Sequence, residues 1–379
     1  MGDIMKKIII FTLSFLLFIS MPARVMAKED EIKVKSSILM CMNTGDIISQ
    51  DNAYEHLSPA SVTKIVSILV ILEAIDNGQI KLDDMVSASE NAVSKGGSQI
   101  WLEVGEKMSV NDLLKAVIIA SANDACTLLG EYIAGSDTAF VDMMNEKVKS
   151  LGLKDSHFEN STGLDDEITN HYSCAHDLAV IATEVMKHDL VKKYSTVWLD
   201  SLRNGETELN NTNKLVNTYN GITGLKTGTT SKAGFCLCAT ASRDGLDLVS
   251  VVLGAQTSED RFNKSTQLLD YGFATYKIEK LELDQQKLTN VKVKNGIIKN
   301  IKPSVSNTDD VLVLKNSSDF EYEYNISEEV KAPLKAGDEL GKIFVKCDNK
   351  TISTINLVSD KDIEKVTFKY VFFFLLKNI

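Results

Sequence analysis

The sequence predicts an α/β (α+β) fold: a mainly antiparallel sheet flanked by helices, followed by a small C-terminal all-β domain. Three observations predict it. The chain has 379 residues and 44% apolar content, enough for one large domain and a smaller one with ample core. Its elements run strands, helices, strands, helix, an order that suits a sheet with helices on both faces. After about Lys280 the pattern changes to short alternating runs between turn signals, as small β-strands require.

The elements follow in order. Lys6-Lys7, the apolar run Ile8 to Met21 and the small-residue end Val25-Met26-Ala27 predict a signal peptide over residues 1–27. The large domain is placed at 28–278. Ser37 to Met42, a turn at Asn43-Thr44-Gly45, and Asp46 to Ser49 form a hairpin. Helical segments dominate from Pro59 to about His188. The first has Ser58 as N-cap, Pro59 at its first position and a stop at Asn77-Gly78. Val62, Ile65, Val66, Ile68, Leu69 and Leu72 cover all its faces, so it is a core helix. Ser109-Val110-Asn111-Asp112 resembles a capping box before an apolar helix, Leu113 to Ala120. Ser121-Ala122-Asn123-Asp124 then breaks the helix, because these side chains compete for backbone hydrogen bonds. A second helix runs from Ala125 to Ala134 and stops at Gly135. Strands return over Lys214 to Leu253, and a helix follows from Ser258 to Tyr276.

The small β domain is placed at 279–358. Its runs are Val291 to Lys294, Val311 to Leu314, Phe320 to Tyr324 and Lys342 to Lys346, with a turn at Ala336 to Gly341. Residues 359–379 read as an amphipathic tail. Lys361, Lys365 and Lys369 stand at helical spacing on one face, ahead of the apolar run Tyr370 to Leu376. That run is too short to span a bilayer but suits a helix lying in the interface.

Charge narrows the partners. The chain carries −11, and residues 1–27 carry Lys6, Lys7 and Arg24 against Asp3, a net of +2, so the rest is near −13. That acidity argues against nucleic-acid binding. Six cysteines in an exported chain invite a disulfide reading. Here Cys236 and Cys238 alternate on one strand and point to one face, while Cys41 lies in an apolar run and Cys126 in a helix. All read as small buried hydrophobes, with no disulfide. The five histidines have no metal spacing, since His171 and His176 are five apart, and no cofactor or metal is expected.

Three short motifs carry the chemistry: Ser61-Val62-Thr63-Lys64, Ser121-Ala122-Asn123 and Lys226-Thr227-Gly228. Each alone also fits ordinary structure, as a helix cap, a helix connector or a hairpin. Together, in this order, they form the signature of penicillin-recognising serine acyl-transferases. Ser61 is placed in a first helical turn, where backbone N–H groups lack intrahelical partners and can face a developing oxyanion. Lys64, three residues on, shares its face. An amine is a base only when neutral, which requires burial or a second cation; Lys226 is the candidate cation. Ser121 and Asn123 on a turn can aim into a cleft. Lys226 and Thr227 on an edge strand can hold a carboxylate, and Gly228 lets another backbone approach.

The chain thus resembles the low-molecular-mass penicillin-binding proteins that are serine-type D-alanyl-D-alanine carboxypeptidases, with the serine β-lactamase/DD-peptidase fold. The resemblance runs from about Ser37 to Tyr276 and more loosely to about Leu357. Besides the three motifs it is carried by Met144-Asn145, Leu151-Gly152-Leu153, Phe158 to Leu164, Val252 to Ala255, Arg261 and Leu268 to Phe273. Gly96 to Ile100 looks closest to the sporulation-associated branch. The resemblance implies that Ser61 is acylated, Lys64 is its base, and Ser121 relays the proton to the leaving amine while Asn123 orients substrate. It implies that Lys226, Thr227 and Arg261 bind the terminal carboxylate, and that the N–H groups of Ser61 and Thr229 form the oxyanion hole. Thr229 stands where some relatives have His. Without the resemblance, Arg261 reads as a surface residue paired with Glu259 and Asp260.

The partners implied are peptidoglycan stem peptides ending in D-Ala-D-Ala, β-lactams as covalent inhibitors, and the outer face of the cytoplasmic membrane. The β domain would act as a stand-off from that membrane. Two other functions compete with this one. A β-lactamase needs a Glu to hold a deacylating water, and Glu159, the nearby candidate, does not fit the required spacing. A non-catalytic penicilloyl sensor or wall-binding scaffold is disfavoured because all the motif positions are intact.

Overall fold

A computed structural model describes residues 32–165, 168–280, 283–305, 310–318, 320–347, 350–370 and 376. The predicted signal peptide and most of the apolar end of the tail lie outside the described residues. Val34–Ile379 forms one compact unit.

Its centre is a five-stranded antiparallel sheet. The strands are β1 (Ser36–Cys41), β2 (Ile47–Asp51), β3 (Ile222–Thr230), β4 (Gly234–Arg243) and β5 (Leu246–Ala255), in the order β2-β1-β5-β4-β3. Both faces are covered, so the central strands are nearly continuous apolar runs. Ile38, Cys236, Cys238, Val249 and Val251 face one core, with helices α1 (Lys64–Asp76), α3 (Asn123–Ala134), α4 (Asp137–Ser150) and α5 (Ala175–Val185). Leu39, Leu237, Ala239 and Leu248 face the other, against Phe262, Leu268, Leu269 and Phe273 of α6 (Ser258–Thr275). Cys236 and Cys238 do share a face, and all six cysteines are buried and free.

α1 runs through the middle of the helical layer with every residue from Lys64 to Leu72 buried, as its all-round apolar sequence predicts. Its start differs from the prediction. Ala60–Thr63 forms a 3-10 turn, Ala60 has φ +48°, and Ser58 caps nothing. The Ser58 hydroxyl is instead drawn away to Asp165, 2.9 Å distant. Downstream, Ser109 caps α2 (Val110–Lys115) by accepting from the Asp112 N–H at 3.1 Å. The chain then widens into a π turn, Ala116–Ala120, before Ser121 breaks it.

Two further departures concern strands. They return earlier than expected, as a hairpin of Leu199–Leu202 and Thr207–Asn210, while Leu215–Thr218 is a short helix and β3 begins only at Ile222. An isolated hairpin is legible through its turn, and Asn204-Gly205 is such a signal: Arg203, Asn204 and Gly205 all turn with positive φ, a cue that the helix-to-strand boundary placed at Lys214 passes over.

The C-terminal part is strand-rich. Val291–Lys294 pairs with Asn300–Ile301 and Glu329–Lys331, and Glu339–Cys347 lies between Lys350–Val358 and Glu321–Ile326. The tail contradicts its predicted helical face. Ile363 bridges Leu334 and Lys365 bridges Gly296, so 361–366 is extended. The cause is Ile363, which is fully buried in a cluster with Val291, Val293 and Leu340. Helix begins only at Phe368. Lys361 and Lys365 therefore do not form a stripe with Lys369. Among the described residues no helix is long and apolar enough to cross a membrane.

Candidate active site

The 3-10 turn puts Ser61 and Lys64 together. The Lys64 amine donates to the Ser61 hydroxyl oxygen at 3.0 Å and to the Thr162 carbonyl at 2.8 Å. Lys64 is wholly buried, and burial lowers its pKa to about 8, against the raising effect of Cys126 and Asp124. β3 presses on the same turn. A Cβ on Gly228 would lie 2.7 Å from the Pro59 oxygen and 3.0 Å from the Ser61 nitrogen, so only glycine admits this approach.

Ser121 sits at the joint between the π turn and α3 in the left-handed conformation, φ +63°. The Ser121 hydroxyl and the Asn123 side-chain oxygen are buried, and no protein group bonds them. A buried polar atom without a partner costs about 1–3 kcal/mol, so such atoms mark places where a substrate group fits. The Asn123 amide is fixed by donating to the Gly96 oxygen at 2.6 Å, and the Asn123 N–H donates to the Ser98 oxygen at 2.7 Å. Beside it, the Asp124 carboxylate accepts from the N–H groups of Ile100 and Leu102, each about 3.2 Å away. Asn123 and Asp124 thereby hold the 96–102 loop at the rim of the site.

β3 is an edge strand, as the carboxylate-binding reading requires. Lys226 is fully buried, and its pKa falls well below the ordinary value, first through burial and then through the charges of Lys64 and Arg261. Thr227 is nearly buried, and the Thr229 hydroxyl donates to the Gly228 oxygen at 2.7 Å. Arg261 does not pair with the acids beside it. Asp260 is occupied by the Thr257 cap of α6. The guanidinium turns under β3, where Nη1 donates to the Gly228 oxygen and the Thr229 hydroxyl, each at 3.0 Å, and to the Cys236 oxygen at 3.3 Å.

The structure thus packs the Ser61 turn, with Lys64 bonded to Ser61, against Gly228 of β3. It sets Lys226 of β3 in the field of Lys64 and Arg261, and bonds Arg261 to Gly228 and Thr229. Ser121 and Asn123 lie at the start of α3, with Asn123 against the 96–98 loop. A further segment, 158–173, supports the site without having been given a role from the sequence. Its Thr162 carbonyl receives Lys64. Gly163, at φ +82°, fits against Ala60, whose oxygen a Cβ would meet at 1.8 Å. The Asp165 carboxylate accepts from Ser58 at 2.9 Å and from Thr230 at 2.5 Å, tying the nucleophile segment to the end of β3. Its only sequence signal was the run Phe158 to Leu164. Glu159 is exposed and accepts from the Asn170 N–H at 3.0 Å, so it does not point at the Ser61 turn.

Among the described residues one Cys/His/Asp group comes together, Cys174, His176 and Asp177. Its atoms are already spent. The Cys174 sulfur accepts from the Asp177 N–H, and the Asp177 carboxylate takes the Asp155 N–H, the Ser156 hydroxyl and His176.

The sequence pattern of the family described as D-alanyl-D-alanine carboxypeptidase matches residues 23–257, and that of the penicillin-binding protein 5 C-terminal domain matches 276–365. The chain belongs to the D-alanyl-D-alanine carboxypeptidase family. Among curated members of the family, the carboxypeptidase DacF of Bacillus subtilis is 37% identical over 96% of both chains, and DacC of Escherichia coli is 32% identical over 89% of this chain and 86% of that one. Penicillin-binding protein 5 from Haemophilus influenzae is similar in structure, with TM-score 0.79 and 30% identity over 88% of this chain and 98% of that one. Penicillin-binding protein D2 from Listeria monocytogenes, solved in a cefotaxime-bound form, matches 63% of this chain and 97% of its own at TM-score 0.58 and 29% identity. As a family member, the protein is a serine-type D-Ala-D-Ala carboxypeptidase, a hydrolase.

Proposed function

We propose that the protein is exported, removes the terminal D-Ala from peptidoglycan stem peptides through an acyl-enzyme at Ser61, and is acylated at the same atom by β-lactams. The observation that carries this reading is the Lys64 amine, 3.0 Å from the Ser61 hydroxyl in a site from which that amine is wholly shielded. In its neutral form Lys64 takes the Ser61 proton as the oxygen attacks the carbonyl carbon between the two D-Ala residues. The N–H groups of Ser61 and Thr229 hold the oxyanion. The proton passes through Ser121 to the leaving nitrogen, the C–N bond breaks and D-Ala departs. Water then attacks the ester, returning the proton to Ser61 and releasing the shortened peptide as a carboxylate. Asn123 orients the peptide backbone, and Lys226, Thr227 and Arg261 attract the terminal carboxylate.

Two things favour this reading over a β-lactamase. Glu159, the nearby acid that could have held a deacylating water, is spent on Asn170 in the outer part of its loop. The relatives named above are carboxypeptidases or penicillin-binding proteins, with a C-terminal domain matched here at 276–365. The tail from Phe368 onward is read as a peripheral contact with the outer face of the cytoplasmic membrane, and the β domain as its spacer.

The test is mass spectrometry of the purified protein with diacetyl-Lys-D-Ala-D-Ala, with and without benzylpenicillin. Wild type is expected to release D-Ala and to gain a long-lived penicilloyl mass on the peptide containing Ser61. Ser61→Ala is expected to do neither while remaining folded. An adduct on Ser121, or rapid turnover of penicillin, would overturn the assignment.

A further inference from the structure

His171 lies in the 158–173 segment, only 3% exposed, with its ring edge-on to Phe158 at 5.3 Å between centroids. Both ring nitrogens are engaged. Nδ1 accepts from the Glu159 N–H at 3.1 Å, and a backbone N–H can only donate. Nε2 therefore carries the proton and donates to the Thr63 hydroxyl oxygen at 2.8 Å. Charging the ring would set a second N–H against that of Glu159. Burial acts in the same direction, lowering the His171 pKa to about 4. The ring is thus a neutral spacer of fixed tautomer.

Its two partners belong to the two halves of the site. Thr63 is on the turn between Ser61 and Lys64. Glu159 opens the segment whose Thr162 carbonyl receives the Lys64 amine. We propose that His171 is a positioning residue for acylation: it fixes the 158–173 segment on the Ser61 turn, and so aims Lys64 at the Ser61 hydroxyl. Other ties also join these halves: Gly163 packs against Ala60 and the Thr63 hydroxyl, Asp165 bonds Ser58, and the Ser67 hydroxyl donates to the Ser161 carbonyl at 2.6 Å. His171 adds a side-chain hydrogen bond to Thr63, the residue next to Lys64.

The inference rests on Ser61 acylation, so wild-type labelling is measured first; its absence would refute that reading and not this one. The rate of acylation by benzylpenicillin is then compared among His171→Gln, His171→Asn and Thr63→Val, each checked by its melting temperature. A Gln amide reaches the position of Nε2 and restores the bond to Thr63. An Asn amide reaches only the position of Nδ1 and keeps the Glu159 side alone. His171→Asn is expected to acylate about a hundredfold more slowly, the usual effect of displacing a reacting group by ~1 Å. His171→Gln keeps the Thr63 bond but gives up the Glu159 one, so it also leaves the halves untied and should be slowed to a similar extent, and His171→Asn combined with Thr63→Val should be no slower than either alone. Equal rates for wild type and His171→Asn would overturn the proposal. So would a Gln variant as fast as wild type, additive losses in the double variant, or rates that merely follow melting temperature.

Discussion

The Arg261 guanidinium and the Gly228 carbonyl meet at 3.0 Å, which makes the cation part of the underside of the edge strand that carries the third motif. The same nitrogen reaches the Thr229 hydroxyl. A carboxylate accepting from Thr227, as proposed, would therefore feel the Arg261 charge through the neighbouring Gly228 and Thr229 groups in a poorly hydrated place, where burial has already lowered the guanidinium pKa to about 10.

Arg261→Ala is expected to slow turnover of D-Ala-D-Ala peptides by roughly one to two orders of magnitude, since a charge-assisted hydrogen bond contributes about 1.5–3 kcal/mol. A C-terminally amidated peptide should be a poor substrate for wild type and lose little more in the variant. Steady-state kinetics on both peptides decide it. Equal losses would mean that Arg261 only braces Gly228 and Cys236.

Lys64 sets the pH dependence of acylation. With a pKa near 8 it is mostly charged at neutral pH, and a charged amine cannot take the Ser61 proton. The acylation rate should climb as pH rises through about 8 and level off above it. Lys64→Arg should be almost inactive across the range, because guanidinium keeps its proton. A rate that is flat from pH 6 to 9.5, or near-normal labelling of Lys64→Arg, would remove Lys64 from the role of base.

The same burial has a cost in stability. The folded-state pKa of Lys64 lies below its unfolded value of about 10.4, so between these two values the unfolded chain binds more protons. Wild-type stability should therefore gain from Lys64 as pH rises from about 8 to about 10.4, and the penalty is full below 8. Lys64→Met lacks this titration. Its stability relative to wild type should be greatest near pH 7 and fall by about 3 kcal/mol by pH 10.5. Urea midpoints of both proteins at the two pH values measure the change. A difference that stays constant with pH would show that Lys64 is not desolvated in the folded state.

What the sequence reveals about this site depends on how local each interaction is. Ser61 and Lys64 are three apart on one turn, and Ser121 opens a run of backbone-competing residues after the apolar stretch Leu113 to Ala120, so both pairs of roles follow from spacing. The antiparallel sheet and its double helical cover follow from apolar runs such as Leu248 to Leu253. Thr162, Asp165 and His171 act on residues about a hundred positions away, and Thr162 does so through its backbone, so no periodicity reports them. The same long-range reach misdirects the reading of Ser58. Its helix-capping pattern is sound locally, but the chain enters as a 3-10 turn with Ala60 at φ +48°, and the Ser58 side chain is turned to donate to the Asp165 carboxylate. In the tail, regular lysine spacing suggested a helix, whereas burial of the single residue Ile363 holds that stretch extended.

That last point changes where the proposed membrane contact would begin. Ile363 bonds Leu334 through both its N–H and carbonyl, at 2.8 and 2.9 Å, and closes the small core with Val291 and Leu340. Residues up to Val366 are therefore part of the β domain, and a cut at 361 would open that core. The exposed part of the tail begins near Phe368, which is 87% exposed, with Lys369 beside it. A basic residue near an anionic surface contributes about 1 kcal/mol, so the two lysines of 367–379, Lys369 and Lys377, leave most of the binding to the aromatic run 370–374. Deleting 367–379 should yield a folded, fully active enzyme that no longer sediments with anionic vesicles. Salt should weaken binding of the full chain only mildly, whereas changing Phe372, Phe373 and Phe374 to Ser should abolish it. Deleting 361–379 should in addition lower the melting temperature of the β domain. If the chain lacking 367–379 still sediments, or if high salt alone releases the intact protein completely, the aromatic tail is not the anchor.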